Sequence, residues 1–108
     1  MTLFTLKQIC ENCNVKRRAV QGYEKAGLVS ATGKNKYGHL LYDSQCRDRI
    51  MQIKQFQDIG FSLKEIKYLF SCQKMQRDSL IDSQIEKVSK QIDHVKQVIR
   101  IIKEENKL

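Results

Sequence analysis

The sequence predicts a mainly helical chain: a set of short helices interrupted by a small β-hairpin, then one long amphipathic helix at the C-terminal end. Three observations predict it. Two helix starts carry reciprocal capping residues, Thr5 with Gln8 and Ser62 with Glu65. A basic loop bounded by Gly33 and Gly38 lies between apolar flanks, as in a hairpin. Isoleucine and valine recur at alternating steps of four and three from Ile81 to Ile102, which is a heptad seam.

The first helix starts at the cap Thr5, with Phe4 and Ile9 placed for a hydrophobic staple. Leu6, Ile9, Cys10 and Cys13 form its apolar face, and the asparagines Asn12 and Asn14 predict its end, since Asn tolerates the left-handed turn that terminates helices. A second helix spans about Lys16 to Lys25, with Ala19, Val20 and Tyr23 inward and Gly27 ending it. Two short helices joined by a tight turn predict a helix-turn-helix. The stretch Ser30–Tyr42 then forms the hairpin, whose tip is too charged to be buried and stands out as a wing. Asp43 caps a third helix that runs to about Asp58, with Cys46, Ile50, Ile53 and Phe56 inward. Gly60 breaks it, and Ser62 opens a fourth helix through Leu69-Phe70 with Phe61 and Ile66 as a second staple. The polar stretch Ser71–Ser79 reads as a loop or a helical joint.

The final helix is the clearest periodic signal. Ile81, Ile85, Val88, Ile92, Val95, Ile99 and Ile102 hold one seam for three heptads, with Lys and Gln residues on the other faces. From Arg77 to Lys107 such a helix is roughly 46 Å long, longer than a domain of about 75 residues is wide, so its seam is expected to meet a second copy. Isoleucine at both core positions disfavours a parallel dimer, which leaves an antiparallel pair at least as well supported. Val98 and Ile101 widen the stripe near its end.

Charge is segregated along the 108 residues. Met1–Arg77 carries 14 Lys/Arg against 6 Asp/Glu, whereas Asp78–Leu108 carries 6 of each, so the whole net charge of +8 belongs to the first part. Lys16 to Lys36 alone holds six cations against Glu24. A solvated surface needs no such segregation; a surface that binds a polyanion does, and nucleic acid is the expected partner. No apolar run approaches the ~20 residues that cross a bilayer, and the N-terminus lacks the pattern of a secretory signal. The expected location is the cytoplasm, away from membranes, with reduced cysteines.

Cys10 and Cys13 have the two-residue spacing of metal and redox pairs, but Cys10 falls on an apolar helix face where a small buried residue is wanted. A closed zinc site needs four ligands, and Cys46, Cys72, His39 and His94 supply no second spaced pair. A structural role is expected, with no metal and no cofactor. No nucleophile–base pair or phosphate-cradling glycine loop stands out, so catalysis is not expected.

The order of capped helix, turn, basic helix, basic wing, two helices and zipper helix resembles the MerR family of bacterial transcription regulators. The residues that carry it are Thr5 to Cys10, Val15 through Tyr23-Glu24-Lys25-Ala26-Gly27-Leu28, Gly38 to Leu41-Tyr42-Asp43, and Ile59-Gly60-Phe61-Ser62-Leu63-Lys64-Glu65-Ile66. The resemblance implies a winged helix-turn-helix DNA-binding domain over residues 1–75 and an antiparallel coiled-coil dimerisation helix over 76–108. It also implies a homodimer on double-stranded promoter DNA that bends and untwists it in the presence of RNA polymerase. With the zipper as its last segment, the chain is expected to be a short member without a C-terminal effector domain. Two positions depart from the family pattern. Gln21-Gly22 stands where relatives have Arg-Tyr, and His39-Leu40 where they have an aromatic and an arginine. Lys16, Arg17, Arg18, Lys34 and Lys36 are the candidates to replace the lost phosphate contacts. Gly22 costs its helix ~1 kcal/mol against alanine and marks a close approach or a loosened turn.

The candidate DNA contacts follow. Lys16, Arg17, Arg18 and Gln21 open the helix that enters a major groove. Tyr23 either offers its hydroxyl to a phosphate or packs inward. Lys34, Lys36, Tyr37 and His39 on the wing are phosphate or minor-groove candidates, and Ser62 with Lys64 begins a helix whose amides can take a phosphate. Two other readings stand beside this one: a DNA-bending accessory of the excisionase type, and a coiled-coil interaction protein with a basic face.

Overall fold

A computed structural model describes residues 2–106, which form two compact units, 2–71 and 72–106. In the first, β1 (Phe4–Thr5) leads into α1 (Leu6–Cys13), followed by α2 (Arg17–Lys25), β2 (Gly33–Lys34), β3 (Leu40–Tyr42), α3 (Ser44–Asp58) and α4 (Leu63–Ser71). The second is one helix, α5 (Lys74–Asn106). The mainly helical fold with a hairpin wing is the one the sequence predicts.

Local chemistry sets the helix ends. Gln8 N–H donates to Thr5 Oγ1 at 3.2 Å while Thr5 N–H donates to Gln8 Oε1 at 2.9 Å, a complete capping box. Ser62 and Glu65 repeat it, with bonds of 3.0 and 3.1 Å. Asn14 ends α1 in the left-handed region at φ 53°, a conformation an asparagine reaches at little cost. The Asp43 carboxylate accepts from Cys46 N–H at 2.8 Å and caps α3. That bond to a backbone amide holds the Asp43 carboxyl below its usual range.

Three details differ from the sequence expectation. Lys16 is the cap residue of α2 rather than its first helical residue. The hairpin becomes a three-stranded antiparallel sheet in the order β1-β3-β2, because Phe4 pairs with Tyr42 and Thr5 with Leu41. This extra strand shields the inner edge of a wing too short to stand alone. α5 begins at Lys74, three residues before Arg77, and Gln73 N–H reaches Gln76 Oε1 at 3.4 Å across its start.

The core of the first unit joins every helix in it: Ile9 from α1, Val20 from α2, Ile50 and Ile53 from α3, and Ile66 and Leu69 from α4 are fully buried. Each such side chain contributes roughly 1.5–3 kcal/mol by leaving water. Phe56 is half-buried and stacks edge-on against Phe61 and Phe70, both at 5.9 Å. Arg49 lies over the Phe70 ring at 3.5 Å and donates from Nε to Leu28 O at 3.2 Å, tying the exit of α2 to α3 and α4.

α5 has 33 residues and a length of about 50 Å. Its heptad seam lies open: Ile85 is 55% exposed and Ile92 49%. No helix among the described residues is long and apolar enough to cross a membrane.

Candidate nucleic-acid interface

α2 presents its charged edge to solvent. Val20 and Tyr23 hold its inner side in the core, so the helical period turns Arg17, Arg18, Gln21 and Lys25 outward, and all four are exposed. Lys16, Arg17 and Arg18 occupy the cap and first two positions, where the field of the helix opposes positive charge by about 0.3–1 kcal/mol each. Lys16 makes no side-chain capping bond; its carbonyl accepts from the Ala19 and Val20 amides at 3.0 and 3.3 Å. Cations gathered at a helix start suit an anion.

A groove flanks α2 on either side. On the wing side a groove of about 380 Å³ is lined by Thr5, Lys7, Arg17, Gly38, His39 and Leu40. On the α3 side a groove of about 460 Å³ is lined by Lys16, Arg18, Tyr23, Lys54, Gln57 and Asp58. Lys54 is paired with Asp58 at 3.2 Å, so Lys16 and Arg18 supply the net charge of this second groove.

The wing tip is built by its own backbone. Gly38 takes φ +81°, its N–H donates to Asn35 O at 3.0 Å, and Asn35 Oδ1 accepts from the amides of Tyr37 and His39. Lys34 and Lys36 are exposed, Lys36 sits over the Tyr37 ring at 5.1 Å, and Tyr37 is 72% exposed. The structure thus brings Arg17 together with His39, and Lys16 with Arg18. Ser62 and Lys64 line neither groove; the Ser62 hydroxyl is engaged by its own capping box.

Tyr23 takes the packing alternative. It is 2% exposed, and its hydroxyl donates its single proton to Gln57 Oε1 of α3 at 2.6 Å. Burial, with Asp58 nearby, pushes the phenol up. Gly22 marks no close approach, since a Cβ built there meets nothing within 4 Å.

Lys7 and Lys54 are the basic groove residues that the sequence reading missed. Lys7 carries a signal in retrospect: it is a cation in the first turn of α1, which has no acidic residue. At Cys13, burial pushes the thiol up and its Sγ–H reaches Arg47 O at 3.7 Å, which fits a packing role. Cys46 likewise directs its thiol to Ser30 O at 3.1 Å. No group of three or more metal-ligating side chains occurs among the described residues.

Comparison with known proteins agrees with this geometry. A family model described as MerR HTH family regulatory protein matches residues 4–72, and one described as MerR, DNA binding matches 47–104. The mercuric resistance operon regulatory protein of Bacillus cereus is 26% identical over 107 residues, covering 92% of this chain and 80% of that protein. Of four longer relatives the chain spans between 21% and 38%. Among solved structures, HiNmlR, a MerR family regulator lacking the sensor domain and bound to promoter DNA, superposes with a TM-score of 0.78 at 23% identity, covering 92% of this chain and 80% of that one. MtaN, the N-terminus of the Bacillus subtilis multidrug transporter activator, gives 0.73 at 28% identity, with 94% and 95% covered. With the family models spanning the basic helix, the wing and most of the zipper, this chain belongs to the MerR family of helix-turn-helix DNA-binding transcription regulators.

Proposed function

We propose that two copies of this chain, paired along α5, regulate transcription from double-stranded promoter DNA by bending and untwisting it where RNA polymerase binds. Each copy sets α2 into a major groove, with Arg18 and Gln21 toward the bases and Lys16 and Arg17 toward the backbone. Lys34, Lys36, Tyr37 and His39 follow the adjacent backbone from the wing, and Ser62 with Lys64 offers a further phosphate contact at the start of α4. The pairing runs along Ile81, Ile85, Val88, Ile92, Val95, Ile99 and Ile102.

One observation carries this reading: Lys16, Arg17 and Arg18 stand exposed at the positive end of α2, where a helix selected for stability alone would carry acidic residues. Mobility shift of the chain's own upstream region across a salt series tests it. Affinity is expected to fall steeply with salt, and Arg17→Ala with Arg18→Ala to weaken binding at least about tenfold, or 1.4 kcal/mol. A flat salt response, or equal binding by the double variant, rejects it.

A further inference from the structure

We infer that Lys7, Arg17 and His39 jointly hold a single phosphodiester of the DNA backbone, so that α1, α2 and the wing grip one strand position whatever its base. The inference rests on the DNA-binding reading above and deepens it. It makes α1 a contact element, and it makes the groove beside the wing a site for one phosphate.

The three side chains come from three separate elements and line one groove of about 380 Å³. No Asp or Glu lines it. Lys7 and Arg17, gathered without a counter-charge in the groove lining, repel one another, and an anion between them removes that repulsion. Lys7 and Arg17 both occupy first turns of helices, so two helix fields add to the positive potential there. Leu6 and Leu40, both half-buried, stand beside the cations as apolar walls, which weakens screening by water.

The donor set matches the ligand. Ammonium, guanidinium and imidazole groups supply N–H donors, whereas the two non-bridging oxygens of a phosphodiester only accept. The backbone of His39 is set in advance, because Asn35 Oδ1 accepts from its amide at 3.0 Å and Gly38 shapes the turn before it. A phosphate carries no base identity, so the site contributes affinity and register rather than sequence choice.

The test uses the full chain with two probes: a duplex carrying its own upstream region and a duplex of mixed sequence. Lys7→Gln, at an exposed position, is expected to keep the wild-type melting curve. It should bind both duplexes about fivefold more weakly and reduce the salt slope by about 1. A scan placing one uncharged methylphosphonate at each backbone position of the upstream duplex then identifies the phosphate. Wild type is weakened at that position, and the same position has a smaller effect on Lys7→Gln and on Arg17→Gln. Unchanged binding by Lys7→Gln, or an attenuated effect at different positions for the two variants, overturns the inference while leaving DNA binding intact. Wild type that binds neither duplex overturns the DNA reading itself.

Discussion

The Tyr42 hydroxyl donates to Glu24 Oε1 at 2.7 Å, joining the last strand of the wing to the C-terminal half of α2. Tyr42 is 0% exposed and Glu24 half-buried, so this bond is partly shielded from water and fixes how the two elements meet. A second tyrosine secures α2 to α3, through Tyr23 and Gln57. The basic helix is therefore held by phenol bonds to two different elements.

Removing the first bond tests its contribution. Tyr42→Phe keeps the ring but leaves the half-buried Glu24 carboxylate without its donor, at an expected cost of about 1–3 kcal/mol. Glu24→Gln retains an acceptor oxygen and should cost less. Urea denaturation of the three proteins checks this; a Tyr42→Phe midpoint equal to wild type would show that the bond contributes nothing.

Alkaline pH should act through the same pair of tyrosines. Burial pushes the Tyr42 phenol well up, with the hydrogen bond and charge of Glu24 adding to it, and burial raises Tyr23 as well. Both folded values lie above the unfolded value of about 10. The stabilisation is thus complete below pH ~10 and is lost as pH rises through the folded values. Denaturation midpoints measured from pH 8 to 11 should fall above pH ~10, and fall less for Tyr42→Phe. Parallel curves for the two proteins would reject the assignment.

Gly22 offers a gain. It lies inside α2 with open space where a Cβ would go, so Gly22→Ala should stabilise the first unit by about 0.5–1 kcal/mol through helix propensity alone. A thermal midpoint no higher than wild type would mean that the site is less open than its geometry indicates.

For the pairing along α5, Ile92→Lys places a cation in the middle of an apolar seam. The expected outcome is a monomer by light scattering at concentrations where wild type is a dimer. An unchanged mass would place the pairing surface elsewhere.

Much of this was legible along the chain, because the interactions responsible span only a few residues. The capping boxes at Thr5–Gln8 and Ser62–Glu65, the left-handed Asn14 and the Asp43 cap each join residues at most four positions apart, or involve a single residue. The seam from Ile81 to Ile102 is equally open to reading, since it repeats at the helical period. Hidden from such reading were the pairings that cross the fold. The two residues of β1 show as a strand only when Tyr42 lies beside them. The Tyr23 hydroxyl finds Gln57, 34 positions away, and this bond anchors the ring between two helices. Lys7 looked like any surface lysine until α1 came to rest beside Arg17 and His39.

By itself, then, the order of residues determined where helices start and stop, where the positive charge lies and which stripe is apolar, all matters of short-range bonding and period. Tertiary structure alone decided which side chains share a groove and which polar groups are already engaged. Those outcomes depend on the mutual placement of helices, set by a core that draws on every helix of the first unit at once.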